Sequence, residues 1–203
     1  MITHDDDEMH FNFLDSQIKV LEDNLRIGTA ASSIMLMNSK GISLNKKRPR
    51  IYSNKYWNKL EFIKTYLFRG DIIPCPTFIF RSKLIKKYKL KYNFESGPAA
   101  DLYLLFRINL LDELIFLNQR PIYNYRVHDN QDSEINRISL EFEVRPHLVK
   151  LLTDNNLLIL AKRYNQASSG IILNIILNDF IMGKLKYNDV IKHIEKLKNE
   201  KIS

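Results

Sequence analysis

Three short segments of this 203-residue sequence gather side chains able to do chemistry. The first, His4-Asp5-Asp6-Asp7-Glu8, sets four carboxylates and an imidazole ahead of a helical pattern. Adjacent carboxylates repel one another, and a hard divalent cation with oxygen ligands is the usual way to stabilise such a cluster. The same pattern also suits an acidic helix start, which the macrodipole favours without any ion. The second segment, Phe94-Glu95-Ser96-Gly97-Pro98-Ala99-Ala100-Asp101, leads from a turn into an apolar helix and puts Asp101 in its first turn. A carboxylate there is either a cap or a general base within reach of a substrate proton. The third, Tyr123-Asn124-Tyr125-Arg126-Val127-His128, closes a strand with aromatic, cationic and imidazole groups. Histidine and arginine so placed serve structure as readily as they serve a ligand.

The elements that must position these groups read as an alternation of helix and strand. Phe11, Leu14, Ile18 and Leu21 recur at helical spacing. Residues 29–37 mix small, β-branched and apolar side chains and predict a strand, with Asn38-Ser39-Lys40-Gly41 as the turn after it. Residues 46–54 are polar, contain a proline and predict a loop. Residues 56–68 predict a helix with Trp57, Leu60, Ile63, Tyr66 and Leu67 on one face, closed by Gly70. Pro74 and Pro76 make residues 72–80 an irregular or edge strand, because proline cannot donate to a ladder. Residues 81–88 support one or two helical turns, residues 99–111 a stronger helix, and 114–117 and 122–127 two short strands around Pro121. Beyond His128, residues 140–161, 167–182 and 187–198 carry apolar side chains at helical intervals with no further strand signal. The pattern predicts an α/β or α+β body over residues 1–138 and an α-helical tail over 139–203.

Composition closes off much of function space. With 45% hydrophobic and 27% charged residues the chain has enough apolar side chains for a core and is not of disordered type. Its one thiol, Cys75, excludes a disulfide framework, a thiolate zinc site and a CxxC redox pair, and suits a reducing compartment such as the cytoplasm. The six glycines never cluster as a dinucleotide fingerprint or P-loop requires. Net charge is +8 and unevenly spread: residues 1–23 hold seven acids and one base, residues 40–91 fifteen bases and two acids. Such a basic stretch is either a solvated surface or a face for an anionic ligand, including the inner surface of a membrane. The acidic amino end lacks an apolar signal core. The longest apolar run, residues 171–182, is interrupted by Asn174, Asn178 and Asp179 and is shorter than the ~20 residues of a membrane span.

Order and spacing add a further reading. An acidic loop, a Phe-Leu-x-x-Gln helix, a small-residue strand, Pro-Thr-Phe-Ile-Phe-Arg, a helix opening Asp-Leu-Tyr-Leu-Leu-Phe-Arg, then Tyr-Arg-Val-His and Asn130-Gln131-x-Ser133 form one series across residues 2–133. This series resembles the second half of a family 2 glycosyltransferase of the GT-A fold. The resemblance implies a partial GT-A mixed sheet with helices and a sugar transfer of the inverting type, from a nucleotide-sugar donor to a hydroxyl of a saccharide or lipid-linked saccharide, in surface polysaccharide synthesis. It implies that Asp6, with Asp5 or Asp7, occupies the DxD-type position that holds Mn²⁺ or Mg²⁺ on a nucleotide diphosphate, and that His128 assists. It implies that Asp101 is the catalytic base, that Thr77, Arg81, Tyr125 and Arg126 lie beside donor or acceptor, and that Arg107 supports the site from its helix. Ala100 stands where the family often has glutamate, and His4 leaves the register of the acidic pair open.

The resemblance starts at the acidic loop, so this reading expects the nucleoside-binding half to lie outside the 203 residues. It further expects the isolated chain to associate with itself or to need that half in trans. Two rivals remain: a catalytically inactive remnant or partner-binding subunit, and a nucleic-acid-binding module using residues 40–91. The second is disfavoured, since no helix-turn-helix, OB or RRM signature accompanies the charge.

Overall fold

In the computed structural model, which describes residues 4–69, 75–111, 113–128 and 137–199, two long strands carry the first unit. They are β2 (Ile27–Met37) and β6 (Leu114–Arg126), paired in parallel from Ile27 opposite Leu114 to Met37 opposite Arg126. Four shorter antiparallel strands cover their outer edges. Along β2 these are β5 (Ile79–Phe80), beside Thr29 and Ala30, and β3 (Ser43–Arg48), beside Ile34 to Met37. Along β6 they are β4 (Lys55–Trp57), opposite Ile115 to Leu117, and β1 (Glu8–Met9), opposite Tyr123 and Asn124. The result is a mixed α/β unit with a six-stranded mixed sheet.

β2 is buried over nearly its whole length, and Gly28, Ala30, Ala31, Ser32 and Ser33 keep it thin. A parallel strand buried on both faces reads as such an uninterrupted run rather than an alternation. Helix α1 (Phe13–Asp23) packs Phe13 against Ile34, Ile122 and Tyr123, and Leu21 against Ile27, Ala30 and Phe116. Helices α2 (Glu61–Arg69) and α4 (Ala100–Leu110) meet through Phe62, Tyr66 and Phe106 in edge-to-face contacts that Trp57 extends. The buried Asn109 fastens this pair: its amide donates to the Asn58 carbonyl and its Oδ1 accepts from the Ile63 N–H. A short helix α3 (Ser82–Lys87) follows β5.

Several sequence expectations change here. The strand, turn and helices over residues 11–41, 81–88 and 99–111 fall within a few residues of their expected places. Residues 46–54, expected to be loop, begin instead as β3, and residues 55–57 form β4 rather than the start of a helix. Both are edge strands; β3 is rich in lysine and arginine, a composition that protects an edge from pairing with another chain and hides it from hydrophobic pattern, and β4 is only three residues long. Residues 114–126 form one strand, not two; the ladder shifts register between Ser32 and Ser33, where Pro121 faces Ser33. Proline removes one ladder donor and is absorbed at that irregularity. Of residues 75–80 only Ile79–Phe80 is strand, after a 3₁₀ turn at Cys75–Thr77. Gly70, residues 72–74 and the Asn130-Gln131-x-Ser133 segment lie outside the described residues.

The second unit is helical: α5 (Arg137–Asp154), α6 (Leu158–Ile181) and α7 (Tyr187–Asn199). Phe142, Ile172, Ile176 and Val190 form its core, with Leu185, Ile194 and Leu197 against them. The expected break at residues 162–166 is absent and α6 runs through it; the actual break, at residues 155–157, follows Asp154. Glu95–Ala99 groups with these helices, with Gly97 at φ +60° beside Glu143. No described helix is long and apolar enough to cross a membrane.

Candidate functional site

The carboxyl ends of β2 and β6 lie side by side at Met37 and Arg126. In open α/β sheets ligands bind outside the carboxyl ends of the parallel strands. Here that end is where the acidic loop is fastened. The Arg126 backbone N–H donates to Asp7 Oδ1 at 2.8 Å, and its guanidinium Nε donates to the Asp6 carbonyl at 2.7 Å. Its Nη1 reaches the Asn38 and Ser39 carbonyls at 3.3 and 3.2 Å, and its Nη2 pairs with Glu8 Oε1 at 3.1 Å. Arg126 therefore spends its donors on joining β1, β6 and the β2–β3 turn. That turn is itself rigid: Asn38 Oδ1 accepts from the N–H groups of Lys40 and Ile42, and Gly41 takes φ +78°, a conformation glycine adopts without penalty.

Held in this way, Asp6 meets His128 from 122 residues away, the imidazole Nε2 standing 3.1 Å from Asp6 Oδ2. The ligand atoms of His4, Asp6 and Asp7 all lie within 4.8 Å of one another. The Asp7 side chain is 1% exposed; its Oδ1 accepts from the Arg126 N–H, the Tyr123 hydroxyl hydrogen-bonds the carboxylate, and His4 Nδ1 stands 3.4 Å from Oδ2. A buried carboxylate keeps its charge only where such donors or a cation compensate it. The hydrogen bond to Asp7, more than the nearby charge, raises the His4 pKa above its ordinary value.

These residues fit a small divalent cation. Opposite ligands of an octahedral ion with bonds of about 2.1 Å stand roughly 4.2 Å apart, and the limit of 4.8 Å on the three donor atoms is a few tenths of an ångström wider than that. Two carboxylates with an imidazole suit Mn²⁺ better than Mg²⁺, which prefers oxygen alone. The half-exposed His4 side leaves room for water or an anionic ligand oxygen. Asp5 is exposed and lies outside the group. Among the described residues the cluster therefore takes in Asp6 and Asp7 but not Asp5.

A second set of groups adjoins the first. Asp101, on the first turn of α4, is partly buried, and burial raises its pKa. That rise is opposed by hydrogen bonds from the Leu102 and Asp101 backbone N–H groups and the Cys75 thiol, and by the charge of His4. Burial and the neighbouring Asp101 carboxylate push the Cys75 thiol up to about 12, so it stays protonated and unreactive near neutral pH. The Tyr92 hydroxyl donates to the Cys75 sulfur, and its own pKa is raised, chiefly by burial. The Tyr125 ring lies 5.8 Å from that of His4, tilted by 60°, and feels Asp6, Asp7 and Asp101; burial, more than these charges, pushes it up to about 12. Asp101 is thus close enough to His4 and Tyr125 for its charge to act on both, as the charges of Asp6 and Asp7 do.

Not every expected residue reaches this place. Arg81 donates to the carbonyls of Leu21, Asn24 and Ile27, tying α1 to the start of β2. That is ten residues along β2 from Met37, or about 30 Å at strand spacing. Thr77 is fully buried. Arg107 is six residues beyond Asp101 in α4, about 9 Å along the axis and some 240° around it, so it faces another side. Cys75 and Tyr92 carried no sequence signal for the site, since they reach Asp101 from separate loops. No family model matches the chain, and no curated protein matches it.

Proposed function

We propose that this protein is a metal-dependent glycosyltransferase of the GT-A type, family 2, acting on a nucleotide-sugar donor and a saccharide or lipid-linked saccharide hydroxyl. One observation carries the reading: Asp6, Asp7 and His128, about 120 residues apart in sequence, converge at the carboxyl end of a parallel strand pair, with Asp101 adjoining. His4, Asp6 and Asp7 are the residues that would hold Mn²⁺ or Mg²⁺, with His128 orienting Asp6. The bound ion would supply positive charge to a diphosphate leaving group.

The chain's own groups then divide the remaining work. Asp101, its carboxylate held by two backbone N–H groups and the Cys75 thiol, accepts the proton of an acceptor hydroxyl at one of its oxygens. Its raised pKa moves it toward neutrality, where a general base is most effective. Tyr125 packs its ring beside that of His4. Arg126 keeps Asp6 and Asp7 in register and leaves the donor sugar to other groups.

Titration of Mn²⁺ into the full chain, followed by nucleoside diphosphate, tests the reading. Wild type binds the ion and then the diphosphate; Asp6→Asn and Asp7→Asn bind neither. In a transfer assay Asp101→Asn keeps donor binding and loses roughly 10²-fold or more in turnover. Absence of metal-dependent diphosphate binding by wild type would overturn the proposal.

A further inference from the structure

The turn between α6 and α7 is built like a wedge. Gly183, at φ +72°, reverses the chain, and the N–H groups of Lys184 and Leu185 return to the Asp179 carbonyl. Leu185 points inward onto the Phe142, Ile172, Ile176 and Val190 core, and Asp189 Oδ2 caps the Lys186 N–H. The turn is therefore fixed from beneath. What it holds outward is apolar: Phe180, Ile181, Met182 and Tyr187 are 42, 77, 73 and 66% exposed. Leu173 and Leu177 continue the Ile181 face down α6 at intervals of four residues and are also exposed. Between these side chains stand Lys184 and Lys186, both exposed, and residues 180–188 contain no acid.

Scattered exposed apolar residues need no explanation, but four at one convex turn do. A turn that exposes aliphatic side chains together with a tyrosine and two lysines matches the bilayer boundary, where apolar groups enter the acyl region, tyrosine sits at headgroup level and ammonium groups meet anionic phosphates. We propose that the α6–α7 turn docks this protein peripherally on an anionic membrane surface. The contact does not use the basic residues 40–59 and does not depend on the proposed chemistry.

Cosedimentation of the full chain with vesicles tests this, using phosphatidylcholine alone and phosphatidylcholine with a quarter phosphatidylglycerol. The chain binds the anionic vesicles more tightly than the neutral ones, and raised salt weakens binding only in part. Ile181→Asp with Met182→Asp lowers the affinity about tenfold or more, as does Lys184→Glu with Lys186→Glu. Unchanged thermal melting confirms that both variants fold, as expected for exposed positions. Equal binding by the variants would assign any membrane contact to residues 40–59 and overturn the proposal. So would failure to bind anionic vesicles, or sedimentation as a dimer that Ile181→Asp dissociates without any vesicle binding.

Discussion

Replacing Arg126 by methionine removes the clamp but keeps the length of the side chain and its fit to a strand. Its guanidinium makes a 2.7 Å bond to the Asp6 carbonyl, a shared pair at 3.2 and 3.3 Å to Ser39 and Asn38, and a 3.1 Å ion pair with Glu8. Glu8 is more than half exposed, so that pair contributes little, while each bond to a carbonyl is worth about 1 kcal/mol net. The loss then comes to about 2 kcal/mol, which for a chain of this size lowers Tm by roughly 4–8 °C. Trp57 is the sole tryptophan and is buried in β4, so its fluorescence reports the unfolding of the sheet unit alone. With the Asp6 carbonyl released, Mn²⁺ affinity falls as well, by about tenfold or more, as when an outer partner of a metal ligand is removed. Arg126→Lys recovers little, because an ammonium cannot span the three acceptors. A midpoint shifted by less than about 0.5 kcal/mol, together with unchanged Mn²⁺ binding, would refute the clamp.

Three further outcomes follow from the same geometry. Burial raises the Asp101 pKa, so its contribution to stability is fully present below the unfolded value of 3.8 and lost as pH rises through the folded one. Asp101→Asn therefore stabilises the sheet unit at pH 7–8, by about 1 kcal/mol, and much less at pH 3–4, as read by denaturant titration of Trp57 fluorescence. His4 must lose its proton to serve a metal, and its pKa lies above 6.5, so calorimetric Mn²⁺ affinity rises between pH 6 and 8 and His4→Gln flattens that rise. Arg81→Met lowers the stability of the sheet unit by about 1–3 kcal/mol while Mn²⁺ binding stays at the wild-type level, which separates its structural work from any role at the site.

The parts of the fold most legible in the sequence were those whose burial pattern is their own. β2, α1 and α4 declare themselves because each buries a continuous face within one segment. β3 and β4 do not, since an exposed strand such as Ser43–Arg48 is held by the ladder of its neighbour rather than by side chains of its own. Pro121 misled for a related reason: its effect is local, and the parallel partner supplies enough pairing on either side to keep β6 whole. At the site, Asp6, Asp7, His128 and Asp101 could be singled out by type and order. Arg126 could be singled out too, but its orientation could not: which carbonyls a guanidinium meets depends on how three distant backbones are brought together. The Cys75 and Tyr92 contacts with Asp101's surroundings depend on the same tertiary closure.

The joint between Arg126 and the acidic loop also sets the time at which the site comes into being. Its bonds to Asp6 and Asp7 close loops of 120 and 119 residues, and the β2–β6 ladder is comparably non-local. Contacts of this separation give nothing back until the loop entropy has been met, so they form late and slow the folding of the sheet. On a growing chain His4, Asp6 and Asp7 are made ahead of nearly all of the sheet unit and wait for it before their clamp arrives. The acidic loop therefore has no half-built clamped state: its geometry is acquired in the same cooperative step as the sheet, and local opening that separates β6 from β2 abolishes both together.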